Sequence, residues 1–382
     1  MVSRPDCDAC EPSCEVKPLL GTPTIPQVWE QALEIDSTLK LLRRHSSPLR
    51  SRQLRPTAFS RTRLFSSMAK GEPVVFDDLP VPVRGEQELG VRQAVMRALA
   101  GGFPRDVRVR VRCGSSGTPK YMVVEELLRL WAGSRAHVTV TDLHIRGTRV
   151  MRNIDCSRLS DFNLLAGARN PVAKEEMLTM VVSSAGTFTD SHTDDPDGSN
   201  HCFVGRKLWL VWDTFLGLSR NLQDVERCSV ETKQATFSMS SFLSVPGSRW
   251  FIVEQGQTLF LPGHLTHKVI TLENYLGIGS FFVMLPSYLR TLARWTQHTP
   301  LWALDLPADC RFQLVNQITR RVLNKVQALA RSSGEQRFRW GIAHFRSAVL
   351  GWQQTLSAQS RHALLDNPVS AELLNSVTET LT

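Results

Sequence analysis

The chain has 382 residues, with 45 Lys and Arg against 36 Asp and Glu, and a formal net charge of +9. Its length allows one large domain with appendages or two domains. No apolar run reaches the roughly 20 residues of a membrane span, so we expect no membrane partner. The eight cysteines show no regular pairing pattern and follow no secretory leader, which favours a reducing compartment.

Residues 1–75 predict a disordered N-terminal region that contains a basic arm at residues 40–70. The arm has nine Lys and Arg, no acidic residue and many serines, a composition that favours disorder. Such a segment attracts nucleic acid without sequence preference; the alternatives are a solvated tail or a targeting signal. Further upstream, Cys7, Cys10 and Cys14 lack a fourth ligand at zinc-finger spacing, so a flexible end is favoured there.

Residues 76–135 predict a mixed α/β lead-in. A proline-rich linker at 72–83 leads into an edge strand, because proline limits ladder pairing. Residues 84–101 predict a helix closed by glycines. Residues 107–112 alternate valine and arginine, which predicts a half-exposed strand. An apolar stripe at helical spacing predicts a second helix at residues 123–131.

Three residues in the middle of the chain favour a metal site. His192 and Asp194 are two positions apart, and His267 follows His192 by 75 positions. In a strand, residues i and i+2 point to the same side, so His192 and Asp194 can converge on one ion. A distant second histidine completes the ligand set of a non-haem Fe(II) oxygenase. Taken alone, the acidic turn around His192 is better explained as a solvated loop.

The flanking residues strengthen the metal interpretation. Lys207 lies in a largely apolar predicted strand, and a buried ammonium needs an anionic partner, which a dicarboxylate co-substrate supplies. Strand alternation puts Trp209 on the face of Lys207 and Trp212 on the opposite face. Trp209 then either lines a co-substrate pocket or belongs to the hydrophobic core. His201 and His264 are predicted to be packed or exposed histidines rather than ligands.

In these motifs and their order, residues 120–290 resemble the JmjC (Jumonji C) family of Fe(II)/2-oxoglutarate oxygenases. The resemblance implies that iron is bound by His192, Asp194 and His267. It also implies that Lys207 and Thr189 bind the distal carboxylate of 2-oxoglutarate, and that O₂ is the second co-substrate.

One position departs from the family pattern. Many relatives carry an asparagine near the co-substrate on the last strand, where this chain has Ser280 or Phe281. Neither side chain offers an amide, which puts the usual arrangement of the co-substrate in doubt but leaves the iron ligands unaffected.

The many short strands and turn signals of residues 136–295 predict a mainly β fold with flanking helices. Its expected form is a double-stranded β-helix, the jelly-roll or cupin-like barrel that holds this ligand set in the family. Residues 296–382 are predicted to be helical. They would cover the barrel or mediate dimerisation, and covering is favoured.

The function implied by the resemblance is that of a dioxygenase that hydroxylates or demethylates a protein substrate. A histone or another nucleic-acid-associated protein is the expected class, with a nuclear or otherwise cytoplasmic location. A non-catalytic JmjC-like barrel that serves as a binding scaffold is the alternative, motivated by the missing amide. A third possibility is a cupin-type barrel with another metal and no 2-oxoglutarate.

Overall fold

The structure is a computed structural model. Apart from single positions at 30 and 32, it describes residues 46–113, 118–133, 137–159, 161–164, 178–194, 196–224, 236–263, 265–297, 308–355 and 368–380. Within these residues the fold is mainly antiparallel β with flanking helices, which confirms the predicted class at that level. Cys7, Cys10, Cys14 and His264 lie outside the described residues.

Twelve strands form two sheets in the described part of the chain. The strands are β1 (Val74–Phe76), β2 (Arg108–Cys113), β3 (Thr118–Val123), β4 (Val138–His144), β5 (Leu178–Ser183), β6 (Phe188–Thr193), β7 (Asp197–Val204), β8 (Arg206–Asp213), β9 (Arg249–Glu254), β10 (Thr258–Leu261), β11 (Leu265–Thr271) and β12 (Tyr275–Phe282). The large sheet has the order β1-β10-β7-β12-β5-β4-β2-β3, and the small sheet has the order β6-β11-β8-β9.

The described helices surround the sheets. They are α1 (Ser46–Ser51), α2 (Arg61–Lys70), α3 (Glu86–Leu89), α4 (Val91–Gly102), α5 (Val124–Ala132), α6 (Thr214–Leu218), α7 (Met239–Ser244), α8 (Tyr288–Gln297), α9 (Ala308–Ala330), α10 (Gly334–Arg339), α11 (Ile342–Thr355) and α12 (Pro368–Thr380). None of them is long and apolar enough to cross a membrane.

The two sheets face each other across an apolar cluster. The large sheet contributes Val181, Cys202 and Tyr275, and the small sheet contributes Trp209 and Phe251 among others. On the opposite face of the large sheet, α4 and α5 pack against a second cluster. A third cluster, which includes residues of α1 and α7, covers the outer face of the small sheet. The side chains that point inward between the sheets are therefore those available to form an enclosed site.

A bulge in β6 sets the face on which its side chains lie. His267 pairs with His192, whereas Val269, two residues further along β11, pairs with Thr189, three residues back along β6. The extra residue of β6 changes the alternation of its side chains. Thr189 and His192 are three residues apart, a spacing that in a regular strand would put them on opposite faces. Because of the bulge, both lie on the face of the small sheet that carries His267 and Val269.

Residues 46–75 form helices and a strand, although they were predicted to be disordered. Helix α2 begins at a Ser60 cap and ends at Gly71, whose φ is 73°. It buries Leu64, Phe65 and Met68 in a cluster that also contains residues of α9 and α11. The basic composition concealed this short apolar face, which is stable because the C-terminal helices cover it.

Arginines of the predicted basic arm also take part in the folded structure. The guanidinium of Arg52 donates a hydrogen bond to the carbonyl of Val245 at 2.7 Å, and Arg61 lies over the ring of Phe162. Arg50, Arg55 and others in this stretch are exposed. From residue 46 onward this stretch therefore combines structural contacts with exposed charge, and it is not a free arm.

The C-terminal region is helical where it is described, as predicted. Its helices share their cluster with α2 and with Phe76, Phe260 and Phe282 of β1, β10 and β12. They therefore pack over one end of the large sheet, which agrees with a covering role. Gly341, with a φ of 68°, separates α10 from α11.

Candidate metal centre

The structure brings together the three predicted metal ligands. His192 and His267 lie opposite each other on β6 and β11, with ring centroids 4.1 Å apart. Asp194 follows directly after β6, and its Oδ2 lies 3.6 Å from Nε2 of His267. Ligand atoms of the three residues all lie within 4.8 Å of one another. Donors on one face of an octahedral ion are about 3 Å apart when the metal–ligand distance is about 2.1 Å, so a small inward movement would suit a divalent cation.

Both histidines are held in the tautomer that a metal requires. Nδ1 of His192 lies 2.7 Å from the carbonyl oxygen of Asp190, and Nδ1 of His267 lies 3.3 Å from that of Leu265. A carbonyl oxygen can only accept, so each Nδ1 carries the proton and each Nε2 keeps its lone pair. Hydrogen bonds of this kind orient metal-binding histidines in proteins.

The protonation state of His267 also suits a ligand. Burial and the nearby His192 hold the pKa of His267 well below its usual value. The ring is therefore neutral at physiological pH, as metal binding requires. Asp194 is partly exposed, which gives the centre a route to solvent.

Lys207 is buried in the space between the sheets, close to a hydroxyl and an aromatic ring. Only 4% of the residue is exposed. Its Nζ donates a hydrogen bond to Oγ of Ser183 at 3.2 Å and lies 4.6 Å from the ring centroid of Tyr275. No described carboxylate forms an ion pair with it, and burial lowers its pKa to about 7. A buried cation in this state favours an anionic ligand.

Strand pairing puts Lys207 and the histidines on one face. Lys207 pairs with Thr271 of β11, and Val211 of β8 pairs with His267. Lys207 is therefore four residues from the ligand position, about 13 Å along the strand. The long lysine stem and a five-carbon dicarboxylate can together span this distance. Thr189, opposite Val269, lies between them on the same face.

Trp209 lies on the inner face, as predicted. Its ring centroid is 5.3 Å from that of His267, and it stacks on Phe251. Its indole Nε1 is buried and has no hydrogen-bond partner in the described structure, an arrangement that leaves a donor available beside the centre. Trp212 belongs to the cluster on the outer face, so the predicted alternation of the two tryptophans is confirmed.

The sequence did not indicate that Asn200 contributes to this space. Its Oδ1 accepts a hydrogen bond from the hydroxyl of Tyr275, a member of the inner cluster. Asn200 pairs with Gly279 on β12, where the absence of a side chain leaves room beside the amide. Side-chain alternation along β7 was the available signal, but the run from Gly198 to Cys202 gives no apolar pattern from which to read it.

Asn200 is relevant to the asparagine of the family pattern that this chain lacks at Ser280 or Phe281. Ser280 is buried with no hydrogen-bond partner for its hydroxyl in the described structure, and Phe281 is only partly buried. The amide that is missing from this part of β12 is present on the neighbouring strand. His201 is a packed histidine, as predicted, with Nδ1 2.8 Å from the hydroxyl of Thr258.

Two carboxylates hold the segments that carry the ligands. Asp190, in the β6 bulge, forms a 2.9 Å ion pair with the buried Lys268. Asp197 is fully buried and accepts hydrogen bonds from the backbone amides of Gly263 and Met284 and from the hydroxyl of Ser287. Its contact with Gly263 fixes the turn that precedes β11, and burial raises its pKa to about 6.

The chain matches no protein-family model and no curated protein.

Proposed function

We propose that the protein is a Fe(II)/2-oxoglutarate-dependent dioxygenase. The observation that carries the proposal is one inward face that holds both a His–Asp–His cluster and a buried ammonium that pairs with no carboxylate of the described residues. The ligand atoms of the cluster lie within 4.8 Å of one another, and Lys207 is 4% exposed. The His–Asp–His cluster alone is compatible with many divalent ions. The buried ammonium of Lys207 beside it favours a metal ion that is bound together with a dicarboxylate.

We also infer that β5 to β12 form a double-stranded β-helix. In chain order these strands belong to the large, small, large, small, small, large, small and large sheets. Two four-stranded layers built in this order, large-sheet β10-β7-β12-β5 over small-sheet β6-β11-β8-β9, have the strand arrangement of a jelly roll. The remaining strands, β1 and β4-β2-β3, extend the large sheet at its two sides.

Each residue of the site has a role in this proposal. His192, Asp194 and His267 would hold the iron and leave the opposite face open. Lys207 and Thr189 would bind the distal carboxylate of 2-oxoglutarate through charge-assisted hydrogen bonds. Trp209 would wall the pocket and offer its indole N–H. Bound iron, 2-oxoglutarate and O₂ supply the oxidising chemistry that hydroxylates a C–H bond or removes an N-methyl group.

The substrate expected from the family resemblance is a protein, with histones and other nucleic-acid-associated proteins as the first class to test. An alternative is a barrel of the same fold that binds without catalysis. The presence of Asn200 between the sheets weakens the argument for that alternative, because the missing amide on β12 was its motivation.

The test is succinate formation from 2-oxoglutarate by purified protein with Fe(II), ascorbate and O₂. We expect measurable uncoupled turnover, and we expect its loss together with the bound iron in His192→Ala. His201→Gln is the matched control, because it alters a buried histidine outside the cluster and should keep both. Turnover that survives in His192→Ala would refute the proposed ligand set, and iron-loaded protein that forms no succinate even with candidate substrates would favour the scaffold.

A further inference from the structure

The β2–β3 hairpin, at one side of the large sheet, presents a basic and aromatic face. Arg108, Arg110 and Arg112 alternate with apolar residues along β2, and all three are exposed. Tyr121 pairs directly with Arg110 across the hairpin and is 64% exposed, the largest value among the exposed large hydrophobic residues that the structure describes. Alternate residues of a strand lie about 6.7 Å apart. The three guanidinium groups therefore form an evenly spaced row beside an open aromatic ring.

None of the three arginines forms an ion pair with a carboxylate of the described residues. β2 lies between β3 and β4 in the sheet, so its charges do not protect an open sheet edge from pairing with another chain. The valines that alternate with the arginines point to the other face, toward the cluster beneath α4 and α5. The row of charge therefore lies on an interior strand and is not neutralised by carboxylates of the described residues.

This face is continuous with the part of the large sheet that lies beside Lys207. Arg112 pairs with Thr139 of β4, and Thr139 pairs with Ser183 of β5. Directly paired residues share a face of the sheet, and Ser183 accepts the hydrogen bond of Lys207. Arg112 is two strands from Ser183, about 10 Å. A chain bound along β2 would therefore lie beside the space between the sheets.

We propose that the β2–β3 face binds single-stranded nucleic acid. A row of cations that follows a backbone of phosphates, with an exposed aromatic ring for base stacking, is the combination by which sheets bind single strands without sequence preference. An acidic peptide would be attracted by the same charges but has no general use for the tyrosine ring. A duplex keeps its bases stacked inside and would not use the ring either.

The test is fluorescence anisotropy of the full-length protein with a labelled single-stranded RNA of twelve nucleotides. Replacing Arg108, Arg110 and Arg112 together by serine should weaken binding at least tenfold. It should also reduce the slope of log Kd against log salt concentration by about 2, because each lost phosphate contact on a single strand contributes about 0.7. The control replaces the exposed Arg320, Arg321 and Arg331 by serine, which removes equal charge from the C-terminal helical region and should change Kd less than threefold.

Tyr121 provides the second part of the test. Tyr121→Leu should weaken RNA binding roughly five- to 100-fold through the loss of stacking, and Tyr121→Phe should leave it within twofold. Equal losses in the two arginine triples, or no loss in Tyr121→Leu, would overturn the proposal. So would competition by polyglutamate or by duplex DNA that equals competition by the RNA. The measurement needs no iron or 2-oxoglutarate, so its outcome is independent of the proposed oxygenase.

Discussion

At the scale of single residues, two buried lysines on adjacent strands of the small sheet differ in the groups that surround their ammonium ions. Lys207 and Lys268 are 4% and 2% exposed. Lys268 has Asp190 as an ion-pair partner at 2.9 Å, with the rings of Phe188 and Phe237 nearby. Lys207 has a hydroxyl and an aromatic ring. Lys268 has an ion-pair partner within the protein, whereas no carboxylate of the described residues offsets the desolvation cost of the Lys207 ammonium.

Substitution of the two lysines by methionine should therefore change stability in opposite directions. Lys207→Met should raise the free energy of unfolding by about 1–3 kcal/mol, because it removes an uncompensated buried cation. Lys268→Met should lower it by about 1–3 kcal/mol, because it leaves Asp190 without its partner. Urea unfolding without ligand measures both. A destabilised Lys207→Met protein would show that Lys207 is a structural residue and would remove the main argument for a dicarboxylate.

The proposed binding of 2-oxoglutarate should depend on pH through the same residue. Burial lowers the pKa of Lys207 to about 7, and a bound carboxylate favours the ammonium form, so binding requires a protonated lysine. Affinity should be high below pH 7 and should fall about tenfold per pH unit above it. Isothermal titration of Mn(II)-loaded protein between pH 6.5 and 8.5 measures this. Lys207→Arg, which stays charged, should lose the dependence, and a flat profile in the unaltered protein would contradict the assignment.

Much of the site was predictable at this scale, for physical reasons. The separation of His192 and Asp194 by two positions already specifies convergence on one face of a strand, and alternation places Trp209 beside Lys207. Asn200 was not predictable, because its approach to Tyr275 depends on which strand of the large sheet lies next to β12. That neighbour is set by pairing between residues far apart in the chain.

At the scale of elements, the turn between β7 and β8 positions Lys207. Gly205 has a φ of +84°, and a Cβ there would lie 2.1 Å from the carbonyl oxygen of Asn274. Gly247 has a similar φ of +76°, but a Cβ there would meet nothing within 4 Å. Backbone strain is therefore common to both glycines, and the steric conflict exists only at Gly205.

The two glycines make a matched pair for mutation. Gly247→Ala should lower the free energy of unfolding by about 1 kcal/mol, the cost of a left-handed conformation for alanine. Gly205→Ala should lower it by a further 1–3 kcal/mol, since β8 must shift away from Asn274. It should also weaken 2-oxoglutarate binding, because Lys207 follows two residues later. Thermal unfolding with parallel titration measures both effects. Equal destabilisation by the two substitutions would contradict the close approach.

The bulge in β6 shows where prediction from local pattern reaches its limit. Strict alternation puts Thr189, three residues before His192, on the opposite face of the strand. The resemblance placed both in one pocket, and the register between β6 and β11 explains how both lie on the same face. A bulge depends on how two strands pair, and the sequence of β6 alone does not specify it.

At the scale of the whole molecule, α2 and the C-terminal helices share one core. Phe65 of α2 packs edge-to-face on Phe162 at 5.1 Å and lies near His344 of α11. The same cluster continues to Leu373 of α12 and to Phe76 of β1. The prediction of a disordered arm failed here because burial of α2 depends on helices more than 200 residues away in the sequence, which local composition does not reveal.

This shared core predicts cooperative unfolding. Phe65→Ala should lower the free energy of unfolding by about 3–5 kcal/mol, as expected for a fully buried phenylalanine. The protein should still unfold in one transition, with loss of helix and loss of metal binding at the same denaturant concentration. Circular dichroism and metal binding followed across a urea series test this. Early loss of helical signal with an intact metal centre would show instead that the terminal helices are a separate unit.

We have proposed that the inward face of the small sheet binds Fe(II) and 2-oxoglutarate together. The most direct measurement is an anaerobic titration of Fe(II)-loaded protein with 2-oxoglutarate, monitored by the visible charge-transfer absorbance of the chelated complex. We predict one iron per chain, an absorbance that saturates with one equivalent of 2-oxoglutarate, and at least tenfold weaker binding in Lys207→Met. Bound iron without charge-transfer absorbance, or saturation that is unchanged in Lys207→Met, would contradict it.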